Sequence, residues 1–358
     1  MSEQTSLARE VSVAEAIRCA QGDLLRRDPS VVVMGLNAMS PLGIFGTVSG
    51  LYEEFGSDRV IETPASEAAM TGIALGMATA GHRPIVVHQR FDFALLTVDQ
   101  TVNQVAKWHY MYGGRLRAPM VVRMVVGRGW GQGPQHSQAL HAWFAHVPGL
   151  RVVMSSFPQE SYDQLYLATM SDTPVIFVEH RWMHLVKGPL IQRPPVGSQR
   201  TTVVRKAGLD VTIVATSYMV VESILAAEML TTRGISAEVL DLIVVSPLET
   251  EVIEASVKKT GRLLVADIGG KSFGIGSEIV STISEKMLRD LRAAPCRIGL
   301  PFVPTPTSAV AAADFYPRAV DIANQVLFML GHRSEDFFTD SSKPNQLDVP
   351  NPQFFGPY

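Results

Sequence analysis

Short unbroken runs of Val and Ile recur along this chain, each parted from the next by a stretch of helical periodicity. VVVMG at 31–35, PIVVH at 84–88, MVVRMVV at 120–126, RVVM at 151–154 and PVIFVE at 174–179 fill the first half. A strand with one wet face alternates apolar and polar residues, whereas a continuous apolar run is buried on both faces. Such strands, alternating with helices like the one expected over 11–27, dictate a parallel sheet between helical layers. The pattern restarts after KGPLIQRPPVGSQ (187–199), whose three prolines and two glycines read as a linker. Strands are expected at 211–215, 237–242 and 263–267, with helices at 220–233, 248–260, 276–291 and 315–330. The reading is two doubly wound α/β domains, 1–187 and 208–333, joined by a linker at 188–207. A polar, proline-containing tail, 334–358, is either disordered or an arm whose Phe337, Phe338, Phe354 and Phe355 dock on a neighbouring subunit.

With 358 residues, 46% of them hydrophobic, there is material for two buried cores. A net charge of −3 carries no electrostatic footprint for nucleic acid or an anionic membrane. No apolar run approaches the roughly eighteen residues of a membrane span, and the N-terminus lacks a signal-type apolar core. Cys19 and Cys296 are far apart and show no metal-ligand spacing, so the chain reads as a soluble protein of the reducing cytoplasm.

Three segments invite chemistry. Glu67 leads an apolar helical stripe, and Gly72 and Gly76 follow four apart on one face, where missing side chains let another backbone approach. Carboxylates seldom lead such a stripe without a task, so the helix reads as delivering an acid to a tight site between subunits. Residues 127–133 hold four glycines, and Pro134, Gln135 and His136 follow. That density implies an irregular loop or a ligand near the backbone, and it puts His136 at a loop-to-helix junction beyond a strand, where open α/β sheets bind ligands. In HQRFDFALLTVDQTVNQ (88–104), Phe91 and Phe93 alternate, so one faces the site and the other the core. His141 and His146, five apart, do not share a helix face, and no metal site is expected. Gly269-Gly270-Lys271-Ser272 lacks the first glycine of a phosphate loop, since Val265 stands there.

Taken together, these blocks resemble the beta subunit of the thiamin-diphosphate-dependent decarboxylase of 2-oxoacid dehydrogenase complexes, of pyruvate, branched-chain and acetoin type. YEEFGSDRVIETPASEAAMTGIALGMATAGHRPIV, FDFALLTVDQTVNQVAKWHYMYGG, GPQHSQALHAWFAHVPGLRVV and TPVIFVEH carry the resemblance, with DLIVVSPLE, KKTGRLLVAD and VPTP in the second half. The resemblance implies a transketolase-like pyrimidine-binding domain followed by a transketolase C-terminal domain. It implies that Glu67 hydrogen-bonds the pyrimidine nitrogen of thiamine diphosphate, promoting the imino tautomer whose exocyclic nitrogen removes the thiazolium proton. Phe91 then matches the aromatic packed on the pyrimidine, Asn37 a cofactor-binding position, His136 the histidine that moves protons, and Gly72 and Gly76 the subunit contact.

The resemblance also exposes what this sequence lacks. Enzymes of this class hold the diphosphate and its Mg2+ with Gly-Asp-Gly and a later Asn, and no Gly-Asp-Gly occurs here. An alpha partner in an α2β2 assembly is therefore expected to hold the metal, with a lipoyl-bearing acyltransferase as a further partner. Two positions depart from the family: Leu36-Asn37 stand where a second acid is usual, and Ile243 where an arginine is. The departures leave room for two alternatives, a split transketolase-like carbon–carbon lyase or ligase and a non-catalytic scaffold; intact Glu67 and His136 speak against the second. In calorimetric titrations the isolated chain should bind thiamine diphosphate poorly and the co-purified pair should bind it with Mg2+. Tight metal-dependent binding by the chain alone would sink the divided site.

Overall fold

The Val and Ile runs do form doubly buried strands. A computed structural model describes residues 8–41, 43–129, 131–195 and 200–339. These fall into two units, one drawn from Met1–Val126 and Trp143–Gln199, the other from Gly127–Ala142 and Arg200–Pro357.

In the first unit the strands are β1 (Arg9–Ser12), β2 (Val31–Gly35), β3 (Val60–Glu62), β4 (Arg83–His88), β5 (Val121–Val126), β6 (Arg151–Val153), β7 (Val175–His180) and β8 (Lys187–Leu190). Six of them lie side by side, all parallel, in the order β6-β7-β5-β4-β2-β3. Every residue of β2, β5 and β7 is buried, as their unbroken apolar runs require. The helix Val13–Arg27 opens where Ser12 Oγ accepts the Glu15 N–H at 3.1 Å, and it closes on Arg26 and Arg27, which complement its dipole. The helix Pro158–Met170 starts on proline, whose missing N–H costs nothing at a first-turn position.

The second unit contains β9 (Thr202–Lys206), β10 (Val211–Ala215), β11 (Ala237–Leu242), β12 (Val244–Ser246), β13 (Leu263–Gly270) and β14 (Cys296–Leu300). Five of these form a sheet in the order β14-β13-β10-β11-β9, parallel except for β9, which runs antiparallel to β11. The helices Tyr218–Thr231, Glu251–Thr260, Ile275–Met287 and Ala319–Met329 surround it. The last was expected from 315, but Pro317 disfavours helical backbone at Tyr316, and Arg318 becomes the N-cap.

Regular structure runs into the segment read as a linker. β8 pairs antiparallel with β1, and β9 takes the edge of the second sheet, while 196–199 lie outside the described residues. The glycine-dense segment 127–142 groups with the second unit rather than with the domain that surrounds it in sequence. Asp241, whose expected local arginine is absent, takes the guanidinium of Arg205 in β9 at 2.7 Å. Phe338 exchanges backbone hydrogen bonds with the Asn324 side chain and lies under Arg233, 4.9 Å from the guanidinium carbon to the ring centre. It is thus held by its own chain; Phe354 and Phe355 lie outside the described residues.

One polar cluster interrupts the apolar interior of the first unit. Arg123 on β5 donates Nε and Nη2 to Glu179 on β7 at 2.6 and 3.0 Å, and Nη1 to Gln21 at 2.9 Å. His184 Nε2 lies 3.0 Å from the same carboxylate. Burial alone would push the Glu179 pKa up; Arg123 and His184 outweigh it and hold it down to about 2. Removing one member strands a buried charge, so Arg123→Met should destabilise the protein by about 3–5 kcal/mol in urea denaturation. Arg123→Met/Glu179→Leu should recover part of that loss, and equal losses in both variants would contradict the paired-charge account.

Candidate active site

The first sheet changes direction between β2 and β4: β3 follows β2 on one side, and β4 then returns to β2's other side. In doubly wound sheets a crevice opens at such a switch, beyond the carboxyl ends of the strands. Three sequence candidates of the first unit follow strands that end at that edge. Asn37 lies two residues past β2, Glu67 five past β3, and Phe91 three past β4.

The β2 loop is shaped by an acid that the sequence reading passed over. Glu62, the last residue of β3, accepts the Asn37 N–H at 2.7 Å and the Met39 N–H at 3.0 Å. Asn37 is exposed and has φ +63°, a left-handed conformation that Asn adopts more readily than glutamate. Gln89 Nε2 donates to the Leu36 carbonyl at 3.1 Å, tying the end of β4 to this loop. The acid missing at 36–37 is therefore not replaced in kind, since Glu62 spends its carboxylate on backbone N–H groups.

Glu67 opens the helix Glu67–Thr79 and is half-buried, with its carboxylate in no hydrogen bond or ion pair among the described residues. The helix is seated by Thr71, one turn on, whose Oγ1 lies 3.2 Å from Nε2 of the buried His88 at the end of β4. Its other face is open. An added Cβ at Gly76 would meet nothing within 4 Å, one at Gly72 would meet Gln100 at 3.8 Å, and Ile73 between them is 58% exposed. Neither glycine is needed for packing within this chain.

Of the two alternating rings, Phe91 is the one in the core. It has no exposed surface and stands edge-on to Phe144, with ring centres 5.5 Å apart. Phe93 is half-buried. Phe91 opens the short helix Phe91–Ala94, so the two rings do not simply take opposite faces as in a strand.

His136 belongs to the second unit and is also half-buried. It sits in a turn in which its own N–H donates to the Gly133 carbonyl at 3.2 Å, ahead of the helix His141–Ala145. His141 goes to Asp267, its Nε2 3.0 Å from Oδ1. Gly269, part of the discounted Gly-Gly-Lys-Ser string, packs against that histidine, and a Cβ there would lie 2.8 Å from its Cε1. Among the described residues no cluster of three or more His, Cys, Asp or Glu could hold a metal. No described helix is long and apolar enough to cross a membrane.

Residues 9–184 match the family model for the transketolase pyrimidine-binding domain, and 200–322 that for the transketolase C-terminal domain. The chain is 36% identical over 325 residues to a mitochondrial pyruvate dehydrogenase E1 component subunit beta-1 of Oryza sativa subsp. japonica, covering 89% of this chain and 86% of the relative. It is 36% identical over 330 residues to the beta subunit of acetoin:2,6-dichlorophenolindophenol oxidoreductase of Cupriavidus necator, covering 88% and 96%. This chain belongs to the transketolase-like family of E1 beta subunits. A Bacillus subtilis acetoin oxidoreductase beta subunit is 34% identical, with 91% of this chain and 98% of that one covered. Among solved structures, a split-gene transketolase described as an inactive beta4 tetramer shares the fold with a TM-score of 0.73, at 21% identity, covering 90% of this chain and 99% of its own.

His88 gives this E1 beta family member a measurable signature. Burial holds its imidazole pKa down to about 4, against 6.5 when exposed. As pH falls through 6.5 the unfolded chain takes up a proton that the folded chain refuses until about pH 4, so stability drains away across that window. The loss should total roughly 3 kcal/mol. His88→Phe should show a correspondingly smaller difference between urea midpoints at pH 7 and pH 4.5, and an unchanged difference would remove His88 as its source.

Proposed function

We propose that this chain is the beta subunit of a thiamine-diphosphate-dependent 2-oxoacid dehydrogenase, supplying the pyrimidine side of an active site completed by an alpha subunit. The observation that carries the reading is Glu67: a half-buried carboxylate with no partner among the described residues, at the carboxyl edge of the switch point, in a family of E1 beta subunits. The residues present suit the aminopyrimidine half of the cofactor, with an acceptor at Glu67 and an aromatic ring with accessible surface at Phe93. Phe91, the ring carried over from the family pattern, is enclosed by Phe144 and supports the segment from below. Asn37, held left-handed by Glu62, lines the same loop.

When bound, the cofactor supplies the electron sink that a 2-oxoacid decarboxylation needs. This chain's part is to hold and move protons: Glu67 shares one with the pyrimidine nitrogen, and His136 serves proton transfer at the reacting carbonyl. The diphosphate and Mg2+ fall to the alpha subunit, because this sequence offers no Gly-Asp-Gly. Gly72, Ile73 and Gly76 present an open face for subunit contact in an α2β2 assembly. The free thiols Cys19 and Cys296 are in keeping with a reducing compartment such as the cytoplasm.

A second reading has one observation in its favour. With Leu36 and Asn37 in place of acids, and Glu62 committed to the backbone, the substrate side carries less negative charge than the family pattern implies. That suits a carbon–carbon lyase or ligase passing its two-carbon unit to a sugar or small ketone. Acyl transfer to a lipoylated acyltransferase domain, present for a dehydrogenase and absent for a ligase, separates the two. In the assembled complex Glu67→Gln should lower turnover by roughly 10²–10⁴-fold, the usual worth of a positioned proton-transfer group. Turnover at the parental rate would remove Glu67 from the mechanism.

A further inference from the structure

The loop that carries His136 is fastened at two points, and the sequence pattern announces neither. Near its start, Arg128 Nη2 donates to the Thr307 carbonyl at 2.8 Å. Gly133 lies so close to the same threonine that a Cβ there would stand 2.1 Å from Thr307 Oγ1, so any side chain would have to displace that hydroxyl. At the loop's exit, His141 is wholly buried, with Nε2 3.0 Å from Asp267 Oδ1. His136 stands between the two fastenings, and all of these residues belong to the second unit.

The exit fastening is built from several parts. Asp267 lies in β13, and its Oδ1 also accepts Thr216 Oγ1–H from the end of β10 at 3.2 Å. Burial pushes the Asp267 pKa up, but His141, the Gly269 N–H and Thr216 outweigh it and leave the group below its ordinary value. Among the described residues, the buried His141 Nδ1 has no partner. The tautomer with its proton on Nε2 therefore leaves no orphaned N–H, and that N–H donates to Asp267. Gly269 makes room for the ring. The proton-transfer chemistry assigned to Glu67 and His136 uses neither partner of this pair.

We propose that the His141–Asp267 pair is a positioning device, which locks the exit of the glycine-rich loop and so holds the His136 imidazole in its working place. The inference rests on the reading of His136 as a proton-transfer residue. Glycines at 127, 129, 131 and 133 give the free loop wide backbone freedom, and ordering each residue carries a conformational-entropy cost. Fastening both ends removes most of that freedom before substrate arrives. The gain falls on the chemical step, because a displacement of about 1 Å in a reacting group can cost about 10²-fold in rate.

The test combines hydrogen exchange on the full chain with kinetics of the co-expressed complex, following reduction of 2,6-dichlorophenolindophenol with pyruvate or acetoin as probe. In His141→Leu, amides within 131–140 should exchange about tenfold faster or more, while those of β10 keep their protection. His141→Gln, whose terminal amide reaches much as Nε2 does, should restore most of the protection. In the complex, His141→Leu should lower kcat by about 10-fold to 100-fold with little change in KM, the split expected when only the chemical step suffers. Unchanged loop exchange overturns the anchoring, and faster exchange with parental kcat overturns the positioning. Should the leucine variant fail to fold, Asp267→Ala removes the acceptor from the other side of the pair, and parental exchange there is equally fatal. His136→Asn separates the two questions: parental kcat in that variant defeats the role of His136, while exchange in the others still reports whether the loop is fastened.

Discussion

A parallel sheet covered on both faces leaves polar chemistry little room except beyond its strand ends. Both units are built that way, and the consequences run through the molecule. In the first, strand order reverses between β2 and β4, the kind of point where doubly wound sheets bind ligands, and the segments carrying Asn37, Glu67 and Phe93 all follow strands that end at that edge. In the second, Thr216 just past β10 donates to Asp267 in β13, and Asp267 receives His141. The same constraint that makes the strands read as unbroken apolar runs thus decides where charged and titratable groups can stand.

The exception follows the rule that buried charge must be matched. Arg123 and Glu179 sit on neighbouring buried strands, and each hydrogen-bonding face of the pair is taken up by the other, by Gln21 or by His184. His88 shows the alternative solution. Set against the Thr71 hydroxyl, it stays neutral, its pKa held down to about 4 by burial. Among the described residues Glu67 is neither matched nor enclosed, and that contrast, beside its place in a motif, supports the proposal that it meets a ligand.

Much of the fold was legible in the residues. The expected strands at 211–215 and 237–242 and the helix ending at 260 coincide with the observed ones, because unbroken β-branched runs and a Lys-Lys-Thr-Gly helix ending are strong local signals. The strands that escaped, β1, β3, β8, β9, β12 and β14, are short or partly exposed, where apolar patterning is weakest. The candidate site was legible in part. Glu67 and His136 stand out by chemistry, whereas Glu62, Gln89 and Asp267 are ordinary polar residues whose roles come from partners 25, 53 and 126 positions away.

By itself the sequence determined the α/β class, the two-part organisation, the E1 beta kinship and the want of a diphosphate and metal motif, since each is written in local composition or in contiguous blocks. Only the tertiary structure decided that Phe91 is core and Phe93 accessible, that Glu62 rather than a residue of the β2 loop shapes that loop, and that the glycine-rich segment is fastened to the second unit through Arg128, Gly133 and His141. The reason is the same in each case. Which side chain a strand end or loop meets depends on strand order and on contacts between distant residues, and local periodicity carries no record of either.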